Sequence, residues 1–312
     1  MTAAIVTVAV PTLDPGPAFA NTLDAIGAQQ VDRELELLIC DSGSGDGTVA
    51  LARAHGARVL TIPRTAFSHG ATRNLLMEQA RGDHVAFLTQ DAVPAHRGWL
   101  RALLSAFTVA EDVGLAFGPY RPRPDTSASV AREIVGWFDS FPTGPDAVVR
   151  LAPELRSAPD RAFLGRLGFF TNANGCVSRA AWQRVPFRPV AYAEDHRLAQ
   201  DMLRAGYAKV YVPEAPVIHA HEYSHWDSLR RSFDESRAVH EVYGWAPDAR
   251  TVLRNVRGAV MGDLRAADHA QMAVALAALV HHGTRGTGTL LGPRSERWPR
   301  FLVRRLSLEG RS

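Results

Sequence analysis

The first 120 residues alternate between short apolar runs and amphipathic segments. Near-continuous apolar strands that alternate with helices are typical of a parallel sheet covered on both faces. We therefore expect an α/β fold with a doubly wound, mostly parallel sheet, whose ligands bind at the carboxyl ends of the strands. The predicted strands are Ile5–Val10, Leu35–Cys40, Arg58–Ile62, His84–Leu88 and Val113–Phe117, and the predicted helices are Pro17–Ala28, Thr48–His55, Ala71–Ala80 and Trp99–Phe107.

The rest of the chain is less regular. Residues 121–166 are rich in proline and contain one helical pattern near Ser129–Phe138, so we expect a substrate-facing loop region there. Beyond it, the pattern predicts a C-terminal helical extension. The later predicted elements are the helix Glu194–Ala205, the strand Lys209–Val212 and the helices Trp226–Tyr243 and Ala266–His281.

Composition limits the possible functions. A net charge of +3 gives little electrostatic support for nucleic-acid binding. Cys40 and Cys176 are too few for a disulfide framework or a zinc site, and we expect them to be free thiols in a reducing compartment. The sequence opens without a basic leader, and its longest apolar stretch, Met272–Val280, is too short to cross a bilayer. We therefore expect a cytoplasmic protein.

Two acids follow predicted strands. Asp41 begins a glycine-rich turn, where a carboxylate can accept the imide N–H of uracil or thymine, although residues 41–48 could also be a capped connection without a ligand. Asp91 follows the strand His84–Leu88 and can provide an oxygen ligand to a divalent cation on a diphosphate. Its alternative role is to cap the turn before Pro94.

Further candidates lie at predicted helix starts and near the second half of the sheet. Arg73 lies in a first helical turn, where the helix dipole disfavours a cation, so we expect it to pair with a diphosphate or to hold Asp91. Asp195, next to Glu194, can act as the base that deprotonates an acceptor hydroxyl; both could instead be simple dipole partners. His219 and His221 share one face of a strand-like segment, as metal ligands or as packed histidines.

In order and spacing, these motifs resemble glycosyltransferase family 2, the inverting GT-A sugar-nucleotide transferases, and within it the rhamnosyltransferase-like branch. The resemblance covers roughly residues 5 to 240. It rests on Val-Ala-Val-Pro-Thr (8–12), Asp-Ser-Gly-Ser-Gly-Asp-Gly-Thr (41–48), Phe-Ser-His-Gly-Ala-Thr-Arg-Asn (67–74), Leu-Thr-Gln-Asp-Ala (88–92), Phe-Thr-Asn-Ala-Asn (170–174), Ala-Tyr-Ala-Glu-Asp (191–195) and Val-Ile-His-Ala-His-Glu-Tyr-Ser (217–224).

The resemblance implies a GT-A fold and a role for each matching residue. Asp195 would be the catalytic base, and Asp91 with His219 or His221 would hold Mn²⁺ or Mg²⁺. Thr89 stands where the family's Asp-x-Asp motif has its first acid, which is a departure. The Gln-x-x-Arg-Trp motif of processive synthases is absent, which favours addition of one sugar per event. The implied nucleotide-sugar-binding residues are Pro11, Thr12, Asp41, Arg73, Gln90, Asn172, Asn174 and Glu194.

These interpretations predict three segments and one reaction. Residues 1–120 would be the nucleotide-sugar-binding half of the GT-A domain, 121–225 its acceptor-binding and catalytic half, and 226–312 the helical extension. The predicted enzyme transfers a sugar, with L-rhamnose favoured, from a dTDP or UDP carrier to a glycan or lipid-linked acceptor. The alternatives are a nucleotidyltransferase, disfavoured because the only lysine is Lys209, and a non-catalytic sugar-nucleotide-binding protein.

The arginine-rich C-terminal segment could contact an anionic membrane surface. Its alternative is a helix packed on the domain with its arginines in solvent. The segment interleaves Trp298, Phe301, Leu302, Val303 and Leu306 with Arg294, Arg297, Arg300, Arg304 and Arg305.

Overall fold

A computed structural model describes residues 4–190, 192–267, 271–308 and 310. Ala191, which belongs to one of the resemblance motifs, lies outside them. The strands are β1 (Ile5–Thr12), β2 (Glu34–Asp41), β3 (Arg58–Thr61), β4 (His84–Leu88), β5 (Val93–Pro94), β6 (Val113–Phe117), β7 (Tyr120–Arg121), β8 (Val148–Val149), β9 (Asn174–Ser178), β10 (Ala208–Tyr211) and β11 (Val217–Ile218). The helices are α1 (Phe19–Gly27), α2 (Thr48–Ala54), α3 (His69–Gln79), α4 (Trp99–Ser105), α5 (Ala128–Phe138), α6 (Arg179–Arg184), α7 (Glu194–Arg204), α8 (His225–Tyr243), α9 (Ala249–Ala266), α10 (Gln271–Leu291) and α11 (Arg300–Leu306).

The main sheet of the described residues has the strand order β3-β2-β1-β4-β9-β6-β10-β8. Strands β1, β2, β3 and β4 are parallel, and β10 runs parallel to β6. Strand β9 is antiparallel to both of its neighbours, and β8 is antiparallel to β10. This mostly parallel sheet confirms the predicted fold class.

Helices cover both faces of this sheet because alternate strand residues point to opposite sides. On one face, Val8 and Ile39 pack with Leu23 of α1 and Trp99 of α4. On the other face, Phe87 packs among residues of α3, α6 and α7. The two layers confirm the doubly wound arrangement, and in both of them the strands are almost entirely buried.

A second, smaller sheet lies beyond the carboxyl ends of β4 and β6. Strand β11 pairs antiparallel with β5 and parallel with β7, and Ile218 lies opposite Val93. Because Asp91 comes two residues before Val93 and His219 one residue after Ile218, this register brings the acid and the imidazole together. The short strands carry too little periodicity to be recognised from sequence.

The chain divides into two compact units. The first unit comprises Met1–Asp125, Ile134–Pro159 and Gly165–Ala220 and holds both sheets. The second comprises Thr126–Glu133, Asp160–Leu164 and His221–Ser312, and is mainly helical. The predicted division of the first 225 residues into two functional halves stays a prediction.

The C-terminal helices differ from their predicted bounds. One helix, α9, ends at Ala266, where the predicted helix Ala266–His281 was to begin, and α10 continues past His281 to Leu291. Residues 268–270 of the predicted helix lie outside the described residues. The prediction missed α9 although Asp248 caps it, its carboxylate accepting a hydrogen bond from the backbone N–H of Thr251 at 2.7 Å.

The part of α10 beyond His281, which the prediction left out, contains three glycines. Two of them lie where another helix approaches closely. A Cβ atom at Gly288 would lie 2.2 Å from the carbonyl oxygen of Leu229 in α8, and one at Gly286 would lie 2.7 Å from Val256 in α9. Packing between helices therefore overrides the low helix propensity of glycine.

A charged cluster within the second unit joins α5, α9 and α10. His282 lies between two carboxylates, with Nδ1 3.1 Å from Glu133 and Nε2 2.7 Å from Asp263. Arg285 pairs with Glu133, and Arg132 pairs with Asp263. His281, Glu133 and His282 have the residue types of a metal site, but the two arginines already neutralise the carboxylates. We therefore interpret the cluster as an ion-pair network.

His282 should make stability depend on pH. Although burial lowers the pKa of His282, hydrogen bonds and charges from Glu133 and Asp263 outweigh this effect and raise it. The stabilisation by His282 is then complete below its ordinary pKa of 6.5 and is lost as pH rises through the raised pKa. We expect His282→Gln to abolish this part of the pH dependence.

The check is thermal unfolding of both proteins between about pH 5 and about pH 8. The stability advantage of the wild type over His282→Gln should shrink as pH rises. Burial lowers the pKa of His281, which acts in the opposite direction, and this burial is present in both proteins. A difference that stays constant over this range would contradict the ion-pair interpretation.

Candidate active site

Asp41 and Thr12 lie side by side at the carboxyl ends of β2 and β1. The hydroxyl of Thr12 donates to Asp41 Oδ1 at 2.9 Å, and Ser44 donates from both its hydroxyl and its backbone N–H. Burial would raise the pKa of Asp41, but hydrogen bonds from Ser44, Thr12 and Gly43 outweigh this effect and lower it. Asp41 is therefore an ionised acceptor at the predicted edge, and its oxygens already hold the glycine-rich turn.

Gln90 links the end of β4 to the end of β1. Its Oε1 accepts the backbone N–H of Leu13 at 2.9 Å, and its Nε2 donates to the carbonyl oxygen of Leu13 at 3.2 Å. Both ends of the amide are thus used within the protein. Gln90 thus holds the carboxyl end of β1, and direct contact of Gln90 or Pro11 with a nucleotide sugar stays a prediction.

Asp91 and His219 form the predicted acid–imidazole pair. His219 Nδ1 lies 3.5 Å from Asp91 Oδ2, and the His219 ring packs edge-on against Tyr120 with centroids 4.9 Å apart. Ligand atoms of an octahedral Mg²⁺ or Mn²⁺ site lie roughly 3 Å apart, so this pair could join such a site after a small movement. The mixed oxygen and nitrogen donors favour Mn²⁺ over Mg²⁺.

The other predicted imidazole, His221, is the first residue of the second unit. Its ring stacks on Tyr223 with centroids 5.3 Å apart. The chain keeps it two residues from His219, but its role as a metal ligand stays a prediction.

Arg73 and Glu194 form a buried ion pair. Arg73 Nη1 lies 3.0 Å from Glu194 Oε1, and both side chains are about 95% buried, being 5% and 6% exposed. The structure therefore pairs Arg73 with Glu194, not with Asp91, because a buried carboxylate needs a counter-charge. Asn172 Nδ2 also donates to Glu194, at 3.1 Å. Burial alone would raise the pKa of Glu194, but Arg73 in particular lowers it.

Of the two adjacent acids Glu194 and Asp195, Asp195 is the one whose described contacts include no arginine. Its Oδ2 accepts the backbone N–H of Asn172 at 3.3 Å, and its Oδ1 accepts that of His196 at 2.9 Å. Burial raises the pKa of Asp195, and the negative charge of Glu194 raises it further. A carboxylate with a raised pKa is a stronger base near neutral pH, which suits proton abstraction from a hydroxyl.

A strained residue precedes these two acids. Ala193 has φ = +56°, the left-handed conformation that costs an L-residue about 1–2 kcal/mol. Such strain is typical of functional sites whose surroundings impose it. Here it turns the chain directly into α7 so that Glu194 and Asp195 occupy the first helical turn.

Asn172 and Asn174 have different surroundings. Among the described residues, Asn172 Oδ1 has no hydrogen-bond partner, so a buried acceptor remains for a ligand next to Asp195. Asn174 is fully buried, accepts a hydrogen bond from Trp99 Nε1 at 2.8 Å and donates to the carbonyl oxygens of Pro119 and Ala215. The observed contacts of Asn174 are thus structural ones that join loops at the sheet edge.

Tyr120 is a residue that sequence reasoning missed. Its ring contacts His219, and its hydroxyl forms a hydrogen bond with Thr171, which precedes Asn172. A series of contacts within the first unit therefore connects Asp91 to Asp195. The signal that could have found Tyr120 is its place just after β6, at the same edge as the predicted ligand residues.

The sequence profile of Glycosyl transferase family 2 matches residues 7–171, which is just over half of the chain. This range contains the ends of β1, β2 and β4 and the metal-ligand candidate Asp91. The chain belongs to glycosyl transferase family 2.

Relatives of this family 2 protein support the same placement. The O-antigen chain rhamnosyltransferase WbaN of Salmonella anatum is 28% identical over 242 residues, which cover 77% of this chain and 73% of the relative. RfbN of Salmonella typhimurium, also an O-antigen chain rhamnosyltransferase, is 29% identical over 244 residues, covering 77% and 74%. The solved mannosyltransferase PcManGT of Pyrobaculum calidifontis, in complex with GDP-Man and Mn²⁺, has a TM-score of 0.60 at 18% identity and covers 94% of this chain and 88% of its own. The chain has the GT-A fold of this mannosyltransferase.

The Arg73–Glu194 pair in this family 2 protein should be essential for stability. Replacing Arg73 by Met leaves the Glu194 carboxylate buried without a counter-charge, which should cost about 3–5 kcal/mol. The double variant Arg73→Met, Glu194→Gln removes both charges and should recover a large part of that loss. Chemical denaturation of the two variants and the wild type checks this, and a double variant no more stable than Arg73→Met would contradict it.

Proposed function

We propose that this protein is an inverting, metal-dependent glycosyltransferase. Its donor is a dTDP- or UDP-activated deoxyhexose, with L-rhamnose as the transferred sugar, and its acceptor is a hydroxyl of a glycan or glycolipid. The relatives named as O-antigen chain rhamnosyltransferases support the choice of sugar and acceptor class. Among the described residues, the buried atom Asn172 Oδ1 has no hydrogen-bond partner, which supports a role for it in accepting a hydroxyl of the donor sugar.

One observation carries the proposal: the two neighbouring acids have different partners. Glu194 is buried between Arg73 and Asn172, whereas Asp195 accepts the backbone N–H groups of Asn172 and His196 and has no arginine partner in the contacts described above. The two acids thus provide one base and one structural charge. A single base implies direct attack of the acceptor oxygen on the anomeric carbon, with the proton passing to Asp195. Direct displacement inverts the configuration at that carbon.

The donor set beside Asp91 fits a divalent cation. Asp91 supplies a carboxylate oxygen, and His219 supplies an imidazole nitrogen held by its contact with Tyr120. His221 is proposed as a further ligand. A bound Mn²⁺ or Mg²⁺ would neutralise the charge of the departing diphosphate. Asp41 and Thr12, at the neighbouring strand ends, would face the nucleotide base.

Substitutions of Asp195 and Asp91 should affect different steps of the reaction. Asp195→Asn should abolish sugar transfer while donor binding stays nearly intact, since an amide cannot take the proton. Asp91→Ala should instead weaken donor binding and metal binding together. The measurements are transfer rates with dTDP- and UDP-sugars, and calorimetric titration of the donor with and without Mn²⁺.

Asp201→Asn is the matched control, because it makes the same change on the same helix at an acid that pairs with Arg188. It should keep near-normal transfer. Full activity of Asp195→Asn would refute the assignment of the base. Donor binding by the wild type without transfer or donor hydrolysis would favour a non-catalytic sugar-nucleotide-binding protein instead.

We further propose that the protein works at the inner face of the cell membrane, held there by its C-terminal segment. In the described residues, no helix combines the length and apolar character needed to cross a bilayer. On α11, Phe301 is 69% exposed and Leu302 38% exposed, with Arg300, Arg304 and Arg305 also exposed. Apolar side chains among arginines suit the interface of an anionic membrane, where a lipid-linked acceptor would lie.

Replacing Phe301 and Leu302 by Ser in the full-length protein should reduce binding to anionic vesicles. Truncation is less suitable because Arg230 hydrogen-bonds to Ser307 and thus anchors the C-terminal end to α8. The control replaces two exposed apolar residues far along the chain, Val109 and Leu155, by Ser. Co-sedimentation with anionic and neutral vesicles checks this, and equal binding of both double variants would contradict membrane contact through α11.

A further inference from the structure

Lys209 is the single lysine among the 35 lysines and arginines of the chain. It lies in β10 and is 1% exposed. Its Nζ donates to three backbone carbonyl oxygens, those of Arg166 at 3.0 Å, Leu167 at 2.7 Å and Phe169 at 2.5 Å. The single lysine ammonium group of the sequence therefore holds one short loop segment, residues 166–169.

The geometry requires an ammonium group. Three donors on one nitrogen can converge on three oxygens, whereas the planar fork of a guanidinium spreads its donors apart. Burial lowers the pKa of Lys209 to about 7. Hydrogen bonds from the ammonium group to three carbonyl oxygens act in the opposite direction, because they favour its charged form. A cavity of about 280 Å³, lined in part by Phe141 and Tyr211, lies beside Lys209, but all three Nζ hydrogens are already used by the loop.

The loop held by Lys209 leads directly to the catalytic residues. Phe169, whose carbonyl oxygen accepts from Lys209, also packs its ring against His196 with centroids 5.4 Å apart. Three residues later, the backbone N–H of Asn172 donates to Asp195 and its side chain donates to Glu194. A shift of residues 166–169 would therefore move the groups that set the position and charge of Asp195.

We propose that Lys209 is a positioning residue for sugar transfer. By donating to three carbonyl oxygens of the loop 166–169, it fixes Asn172 against Asp195. The role rests on the proposed function, in which Asp195 is the base. Lys209 itself touches neither the donor nor the acceptor.

Two variants and one control test this inference. Lys209→Met roughly keeps the length of the side chain and removes every hydrogen-bond donor. Lys209→Arg keeps the charge but cannot direct three hydrogen bonds from one nitrogen. Val210→Ala is the control, since Val210 lies next on the same strand, is also buried and faces the opposite layer. It should lower the thermal unfolding midpoint without affecting the loop.

Hydrogen exchange gives a readout that does not depend on activity. In both Lys209 variants, the amides of residues 166–172 should exchange faster than in wild type, whereas in Val210→Ala they should not. Unchanged exchange in both Lys209 variants would overturn the inference. Lysine-selective ¹⁵N labelling of the wild type should show a single ammonium signal with slow proton exchange, and fast exchange would overturn the inference even if neither variant folds.

Kinetics then test the consequence for catalysis. Loss of the Asn172 hydrogen bond disfavours the ionised form of Asp195, so the acid limb of the kcat–pH profile should move to higher pH in Lys209→Met. We expect kcat to fall about 10- to 100-fold with the donor KM little changed, while Val210→Ala keeps the wild-type profile. An unshifted limb with normal kcat would overturn the inference. A wild type without transfer activity would refute the proposed function, leaving the exchange data to decide the role of Lys209 in the loop.

Discussion

The active site depends on the buried ion pair between Arg73 and Glu194. Two charges removed from water are tolerated only when they neutralise each other and their remaining hydrogen-bonding groups are satisfied. Here Arg73 Nη1 also donates to the carbonyl oxygen of His69, and Asn172 donates to Glu194, while Arg73 Nε has no partner among the described residues. The pair therefore joins α3 to the first turn of α7. Because Asp195 follows Glu194 directly, the ion pair also fixes the start of the helix that carries the proposed base.

The rest of the site follows from the direction of the strands. Parallel strands place their carboxyl ends at one edge, which brings Thr12 and Asp41 into register and lets Gln90 bond to Leu13. The small sheet β5-β11-β7 adds a second constraint, because its register sets His219 beside Asp91. Short strands of two residues contribute little stability of their own. These short strands position His219 and Asp91, and the buried main sheet makes their arrangement rigid.

How much the sequence could predict depends on the range of the interaction. Six strands of the main sheet, the turn after Asp41 and the placement of Asp91 after β4 follow from local pattern and were predicted, whereas β8 and β9 of the same sheet were missed. The partner of Arg73 could not be, since Glu194 lies 121 positions away and only burial makes the pairing necessary. The predicted end of α10 was wrong for a similar reason. Gly286 and Gly288 lower helix propensity locally, but the absence of a side chain at these positions allows close packing against α9 and α8. The three-point bonding of Lys209 likewise arises only in the folded chain.

Two acids adjacent in sequence acquire opposite properties because a helix turns by about 100° per residue. Glu194 points to Arg73, whose charge lowers its pKa, whereas Asp195 lies beside that fixed negative charge, which raises its own. The structural acid thus tunes the proposed catalytic one. A double displacement would require a carboxylate free to bond the anomeric carbon in addition to an acid–base group. With Glu194 paired with Arg73 and Asn172, this neighbouring pair supplies only the proposed base, and the proposed reaction is therefore a single displacement with inversion.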